Sequence, residues 1–287
     1  MEICWNLPGI WVEDEEMKNL FDLSGCVAVV IGGTGALGGA IARGLGGAGA
    51  AVAVCGRNES RGMERCNEIR NSNPGGQAEF FSLDAADPAS VLEAQTKIKG
   101  ALGEPSILVN AAGGNTPSTT VTEQNRVESI GLEDWRANFD LNLVGGALVP
   151  SQVFGPAMCA GGTGSIINIA SVSAHVPLSR VIAYSAAKAA TLSLTQFLAR
   201  EWAPSGVRVN SITPGFFPAE QNRALLFEKN GDPTPRARAI LGHTPMGRFG
   251  EADEVAGAAV FLASSRASGF VTGCDLRVDG GFLAQTI

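Results

Sequence analysis

Residues 26–31, CVAVVI, carry no polar side chain, and the seven that follow, GGTGALG, hold four glycines. A strand with one wet face alternates polar and apolar residues; a strand with no polar face must be covered on both sides, as inside a parallel sheet. The stretch ALGGAIARGLGGAG (36–49) then reads as a helix. The pattern repeats along the chain. AVAVC (51–55), AEFFSL (78–83), PSILVN (105–110), GSIINIA (164–170), VRVNSI (207–212) and CDLRV (274–278) are strand-like. Between them ESRGMERCNEIRNS and the segments 132–158, 184–203 and 251–263 space their apolar residues as helices do. Buried strands separated by helices predict an α/β fold, a doubly wound parallel sheet of about seven strands with helices on both faces.

No linker-like tract divides the chain, so residues 23–287 are expected to form one domain behind an N-terminal extension, 1–22, that contains Trp5 and Trp11. The expected excursion is 216–247, where NGDPTP and GHTPMG interrupt the helical pattern. Residues 25–42 are eighteen uncharged positions, long enough for a membrane span. Their six glycines and the Arg43 that follows favour strand, turn and helix instead, so no membrane is expected. A net charge of -7 without a basic run argues against nucleic acid. The acidic start, WVEDEEMK, is unlike a secretory signal. Six cysteines without a CxxC read as free thiols in a reducing, cytoplasmic setting.

Within 32–38, Gly33, Gly35 and Gly38 fit G-x-G-x-x-G between a strand and a helix. Gly32, Gly33, Thr34, Gly35, Ala36, Leu37 and Gly38 are thus candidates to hold a dinucleotide, with the pyrophosphate at the helix N-terminus. No Lys-Ser/Thr follows, which disfavours a P-loop. The second strand ends VAVCGRN, with Gly56 where an acid would favour NAD and Arg57 placed to pair with a 2′-phosphate. NADP is therefore preferred and NAD possible; the plainer alternative for Arg57 is a solvated arginine. Asp84 could accept from the adenine amino group or cap the helix that starts near Pro88.

The chain has one tyrosine and five lysines, and two of these six residues, Tyr184 and Lys188, stand one helical turn apart. A phenol ionises near pH ~10; a cation at i+4 is expected to lower that value and make Tyr184 an acid–base group. Ser171, at a strand's C-terminal end, can hold a substrate oxygen beside it. Ser173 and His175 follow on the same loop. A Ser-His-carboxylate triad is disfavoured because no G-x-S-x-G elbow surrounds any serine and only His175 and His243 exist. No residues are assigned to a metal.

With these residues in place, the chain resembles the short-chain dehydrogenase/reductase family from Leu23 to Phe282. The matching pieces are the glycine turn, Asp84, NAAG (110–113), Asn142 in FDLNLVG, Ser171, Tyr184, Lys188 and TPG (213–215). The resemblance implies a Rossmann-like single domain, a homotetramer and a catalytic set of Asn142, Ser171, Tyr184 and Lys188. It implies that Lys188 binds the nicotinamide ribose and that Asn142 holds a water leading from Lys188 to solvent. Asn110 would stabilise the sheet beside the cofactor, Ala111 and Gly113 would lie against the cofactor, and Pro214 and Gly215 at its nicotinamide end. Ile31, Ala36 and Ala219 depart from the family's usual residues, which would soften cofactor affinity without touching the acid–base set; Ala111 is a milder departure.

NAAGGN (110–115), PLSRVIAYSAAKAA (177–190) and PGFFPAEQNR (214–223) further resemble the sugar-acid, D-mannonate-type branch. A small-molecule carbonyl or alcohol substrate is expected, touched by Asn115, Ser171, Ser173, His175, Arg180, Asn222 and Arg223. Arg180, four residues before Tyr184, could recruit a carboxylate or simply face water or another subunit. A neutral keto substrate on the same frame and a non-catalytic nucleotide-binding scaffold are the alternatives.

Overall fold

The computed structural model describes residues 20–73 and 75–286. The expected N-terminal extension, with Trp5 and Trp11, lies outside the described residues up to position 19. Seven strands are present: β1 (Val27–Ile31), β2 (Ala51–Gly56), β3 (Ala78–Ser82), β4 (Ile107–Asn110), β5 (Gly164–Ile169), β6 (Val207–Pro214) and β7 (Asp275–Val278). They form one sheet in the order β3-β2-β1-β4-β5-β6-β7, and every pairing is parallel. All five residues of β1 are buried. Val30 packs into a core with Ile41, Val52, Ile167 and Ile212 on one face. Val29 and Ile31 pack with Ile98, Leu108, Phe154 and Ile166 on the other. Two cores on two faces are the reason CVAVVI has no polar side.

The helices between strands are α1 (Ala36–Gly47), α2 (Glu59–Ser72), α3 (Pro88–Leu102), α4 (Leu132–Phe139), α5 (Val149–Gly161) and α6 (Ile182–Trp202). Asn58 caps α2 through its side chain and Asp87 caps α3. Helix α1 starts with no side-chain cap and no acidic residue in its first turn. This difference matters, because α1 begins where β1 leaves the sheet between β2 and β4, at the strand-order reversal where such folds bind ligands.

The helix expected over 132–158 is not regular. Between α4 and α5, Asp140–Leu148 is π-helical. Two glycines allow that segment to lie against the loops after β3 and β4. A Cβ on Gly145 would meet the Ala86 nitrogen at 2.8 Å, and one on Gly146 the Ala112 oxygen at 3.0 Å. The whole run Leu132–Gly161 is long and apolar enough to cross a membrane by length and composition, yet Phe154 and Met158 are core residues. Residues 25–42 are β1, the turn and the start of α1.

Segment 216–247 stands outside the sheet as a single turn, Arg223–Leu226, and α7 (Pro235–His243). It has its own small core of Leu226, Ala237 and Ile240 with Phe216, Phe227 and Phe249. Helix α8 (Ala252–Ala263) returns to pack on α1, where a Cβ on Gly44 would come 2.7 Å from Ala256.

Candidate active site

A crevice of about 620 Å³ opens over the strand ends, from the glycine turn to Tyr184. Gly32, Thr34, Gly35, Ala36, Leu37 and Gly38 line its first part. Gly32 has φ +80°, and a Cβ there would sit 2.6 Å from the Ala112 nitrogen. A Cβ on Gly38 would lie 2.3 Å from the Gly32 oxygen. No other residue fits either place. The uncapped first turn of α1 therefore turns backbone N–H groups and the positive end of its dipole toward the crevice, the donor set a diphosphate needs. Gly33, expected among the contacts, does not line the crevice. Its missing Cβ would press on the Val30 oxygen and Val54 Cγ1, both at 3.0 Å, so it serves the packing of β1 on β2.

Gly56, Arg57 and Asp84 line the far end, and so does Arg61, which the sequence reading missed. Arg61 is one helical turn beyond Arg57, and that spacing was the available signal. Its Nη2 donates to Glu220 Oε2 at 2.9 Å across the mouth of the crevice. Arg57 has no ion-pair partner among the described residues. Asp84 does not cap α3; Asp87 does, leaving Asp84 to accept from the Ala86 N–H at 3.1 Å.

At the other end stand Ser171, Tyr184 and Lys188, with Ala111, Gly113, Asn115, Pro214, Gly215 and Asn222. The first turn of α6 presents Tyr184, and Lys188 follows on the same face, its ammonium 5.8 Å from the Tyr184 ring centroid. Lys188 is buried and donates to the Ile169 oxygen, at the end of β5, over 2.7 Å. Burial pushes the Lys188 ammonium down to about 8. Burial also raises Tyr184 above the ordinary phenol value, with the Ser171 hydrogen bond pulling the other way. The expected lowering by the lysine is not found: with its ammonium 5.8 Å from the ring centroid, desolvation of the phenolate sets the direction.

Asn142 sits in the π segment. Its Oδ1 accepts from the Gly114 N–H at 2.8 Å, and its Nδ2 donates to the Gly114 oxygen and the Asn138 oxygen, each at 2.9 Å. The loop after β4 is thereby pinned beside Lys188: a Cβ on Gly113 would lie 2.6 Å from Asn142 Oδ1 and 3.4 Å from Lys188 Nζ. Asn110 does not line the crevice and stabilises the sheet below it, as the resemblance implies. It is fully buried, and its Nδ2 donates to Asn168 Oδ1 at 2.8 Å and Ser151 Oγ at 3.2 Å, tying β4 to β5 and α5 beneath the crevice.

Four expected substrate contacts lie outside the lining. Ser173 is buried and donates through its N–H and hydroxyl to Ser171 Oγ, at 3.2 and 3.1 Å, so it orients Ser171. His175 Nε2 lies 3.1 Å from Thr213 Oγ1 and 3.1 Å from Asp275 Oδ2, which fastens the Ser171 loop to β6 and β7. Arg223 stacks over Phe227 at 5.4 Å. Arg180, exposed in the loop before α6, is bound through its main chain. Asn115 and Asn222 do line the crevice, but their amides also hold loops. Asn115 Nδ2 donates to Thr120 Oγ1 at 2.6 Å, and Asn222 accepts from the Ala219 N–H at 2.7 Å. Phe216, Phe217, Pro218 and Ala219 complete that wall; they follow Pro214-Gly215 directly, within the PGFFPAEQNR stretch that carries the sugar-acid resemblance.

Because His175 fastens the Ser171 loop through its hydrogen bond to Thr213 and lies beside Asp275, His175→Ala should lower stability by about 0.5–1.5 kcal/mol. Thermal unfolding reads this. Its relative KM values for acidic and neutral substrates should stay in proportion, against a direct substrate contact.

The family model described as Enoyl-(Acyl carrier protein) reductase matches residues 33–283. An uncharacterized oxidoreductase, UxuB, of Bacillus subtilis (strain 168) is 38% identical over 92% of this chain and 97% of its own length. The D-threitol dehydrogenase of Mycolicibacterium smegmatis is 37% identical over 91% of this chain and 94% of its own. Among solved structures, a candidate D-mannonate oxidoreductase from Haemophilus influenza with bound NAD superposes with a TM-score of 0.86 and 37% identity, covering 92% of this chain and 97% of that one. The gluconate 5-dehydrogenase from Burkholderia cenocepacia J2315 with NADP and tartrate gives 0.83 and 34%, covering 93% and 99%. With the glycine turn, Ser171, Tyr184 and Lys188 gathered in one crevice, these similarities show that the chain belongs to the short-chain dehydrogenase/reductase family of oxidoreductases.

Proposed function

We propose that this oxidoreductase interconverts a keto and a hydroxyl group of a sugar acid, with NADP preferred over NAD. The observation that carries the reading is one continuous crevice with a diphosphate cradle at one end and the Ser171–Tyr184–Lys188 group at the other. When bound, a nicotinamide supplies or accepts the hydride. The backbone N–H groups of α1 would hold the diphosphate, Arg57 a 2′-phosphate, and Lys188 the ribose beside the reacting ring.

The chain's own chemistry is a proton movement at one oxygen. Ser171 Oγ already accepts two hydrogen bonds from Ser173, which leaves its own hydrogen to donate, to Tyr184 in the resting site and to a substrate oxygen once one is bound. Tyr184 gives its phenolic proton to that oxygen during reduction and takes it back during oxidation. The phenolate so formed is half-buried in the crevice wall, and the Lys188 ammonium on the same helix face offsets the cost of its charge. Asn142 keeps the Gly113-Gly114 backbone where Lys188 needs it.

Support for a sugar acid comes from the relatives that act on gluconate and 2-dehydro-3-deoxy-D-gluconate and from the polar residues Asn115 and Asn222 in the wall. The D-threitol relative favours a second reading, a neutral polyol. We propose in addition that segment 216–247 closes over the substrate, that residues 23–287 are the folding unit, and that the protein is a cytoplasmic homotetramer, as the family resemblance implies.

A panel of D-mannonate, D-gluconate, D-threitol and galactitol, assayed with both oxidised cofactors, tests the proposal. Turnover should favour the acids. An Arg57→Ala variant should lose about tenfold or more in affinity for NADP and little for NAD, measured by fluorescence titration of the reduced forms. Equal losses for both cofactors would remove Arg57 as a phosphate reader.

A further inference from the structure

Arg236 had no place in the sequence reading. It stands in the first turn of α7, half-buried, and its Nη1 donates to Ser179 Oγ at 3.0 Å. That bond brings the outer segment onto the loop that leads into α6, one residue before Arg180. Arg180 is the one non-glycine residue with positive φ among those described, at 75°. Its carbonyl accepts from the Val121 N–H at 2.9 Å, so the loop after β4 holds it in that strained form. Neither guanidinium has an ion-pair partner among the described residues. Burial, and then the charge of Arg180, push Arg236 below the ordinary guanidinium value.

In a protein with net charge -7, an arginine bonded to Ser179, the residue next to a second arginine, with no carboxylate paired to either among the described residues, is an arrangement that lacks its counter-charge. Three segments converge on it: the Asn115–Val121 loop, the approach to Tyr184 and the outer helix α7. Two of these, through Asn115 and Tyr184, also line the crevice. We propose that Arg180 and Arg236, both outside the lining of the open crevice, together form a carboxylate clasp at its substrate end once segment 216–247 closes, gripping the acid group of the substrate while its carbonyl or alcohol faces Tyr184. This rests on the sugar-acid reading above and adds the residues that enforce it. The clasp also explains the strain. A backbone in the left-handed region costs energy for any residue with a Cβ, and Val121 holds it there so that the guanidinium is placed before substrate arrives.

Tartrate and threitol are a matched probe pair, because they share four carbons and two central hydroxyls and differ in carboxylate against hydroxymethyl ends. With the full-length protein saturated in reduced cofactor, tartrate should bind more tightly than threitol, measured by calorimetry. In Arg236→Gln and in Arg180→Gln the tartrate-to-threitol affinity ratio should fall by about 10- to 100-fold. In the double variant it should approach one. Affinity for reduced cofactor and thermal unfolding report whether each variant is folded, and Arg236→Lys, which keeps the charge, should recover part of the ratio. An unchanged ratio in folded variants, or equal losses for both probes, would overturn the clasp even if sugar acids are turned over. Conversely, an arginine-dependent preference for tartrate in an enzyme that oxidises only neutral polyols would leave the clasp standing and sink the sugar-acid reading.

Discussion

Tyr184→Phe should lower turnover by about 10³-fold or more while the protein keeps its fold and its affinity for reduced nicotinamide. Removing one hydroxyl deletes the phenolic proton donor that the crevice presents beside Ser171, and positioned acid–base groups contribute about 10²–10⁴-fold. The ring itself remains, so packing at the start of α6 is retained. Its lost bond to Ser171 costs about 1 kcal/mol. Stopped-flow reduction of a saturating keto acid, paired with a cofactor titration, separates the two effects. Substantial turnover in the variant would place the proton transfer elsewhere.

Lys188→Ala should damage both chemistry and binding, with turnover down about 10²–10³-fold and cofactor affinity weakened as well. The ammonium is fixed by the Ile169 oxygen and lies beside Gly113 and the Tyr184 ring, so nothing nearby can replace it. Its pH behaviour gives an independent check. Burial lowers Lys188 to about 8, so it is charged below that pH and neutral above. Carbonyl reduction should therefore decline as pH rises through about 8, a limb that Tyr184, raised above 10, cannot produce. In Lys188→Ala that limb should vanish. Stability moves in the opposite sense: a lysine depressed in the folded state penalises folding at low pH. That penalty is relieved between about 8 and the unfolded value of 10.5.

The frame of the molecule was legible in the sequence because its strands are buried on both faces, and a run such as CVAVVI admits few other readings. The glycine turn was equally plain, since Gly32 and Gly38 occupy places where any side chain collides with main chain. The acid–base residues were visible through their spacing on one helix. What stayed hidden depended on contacts between distant segments. Nothing near Asn142 in sequence reveals a π segment, because its cause is the fit of Gly145 and Gly146 against loops some 35 to 60 residues earlier. His175 and Ser173 looked like substrate contacts from their position near Ser171. Asp275 and Ser171, which claim them, could be matched to them only in space. The direction of the Tyr184 shift was misjudged for a similar reason: spacing shows a neighbouring charge but not how dry the site is.

The first turn of α1 has a consequence for anyone redesigning this protein. In the proposed function its grip on a diphosphate would come from main chain, which every residue type shares. Attempts to change which cofactor or substrate is accepted must act through the few side chains at the rim, Arg57 at one end and the walls contributed by 214–222 at the other. The middle of the crevice is fixed by the path of the backbone, so selectivity can be retuned at either end with little reason to disturb the other.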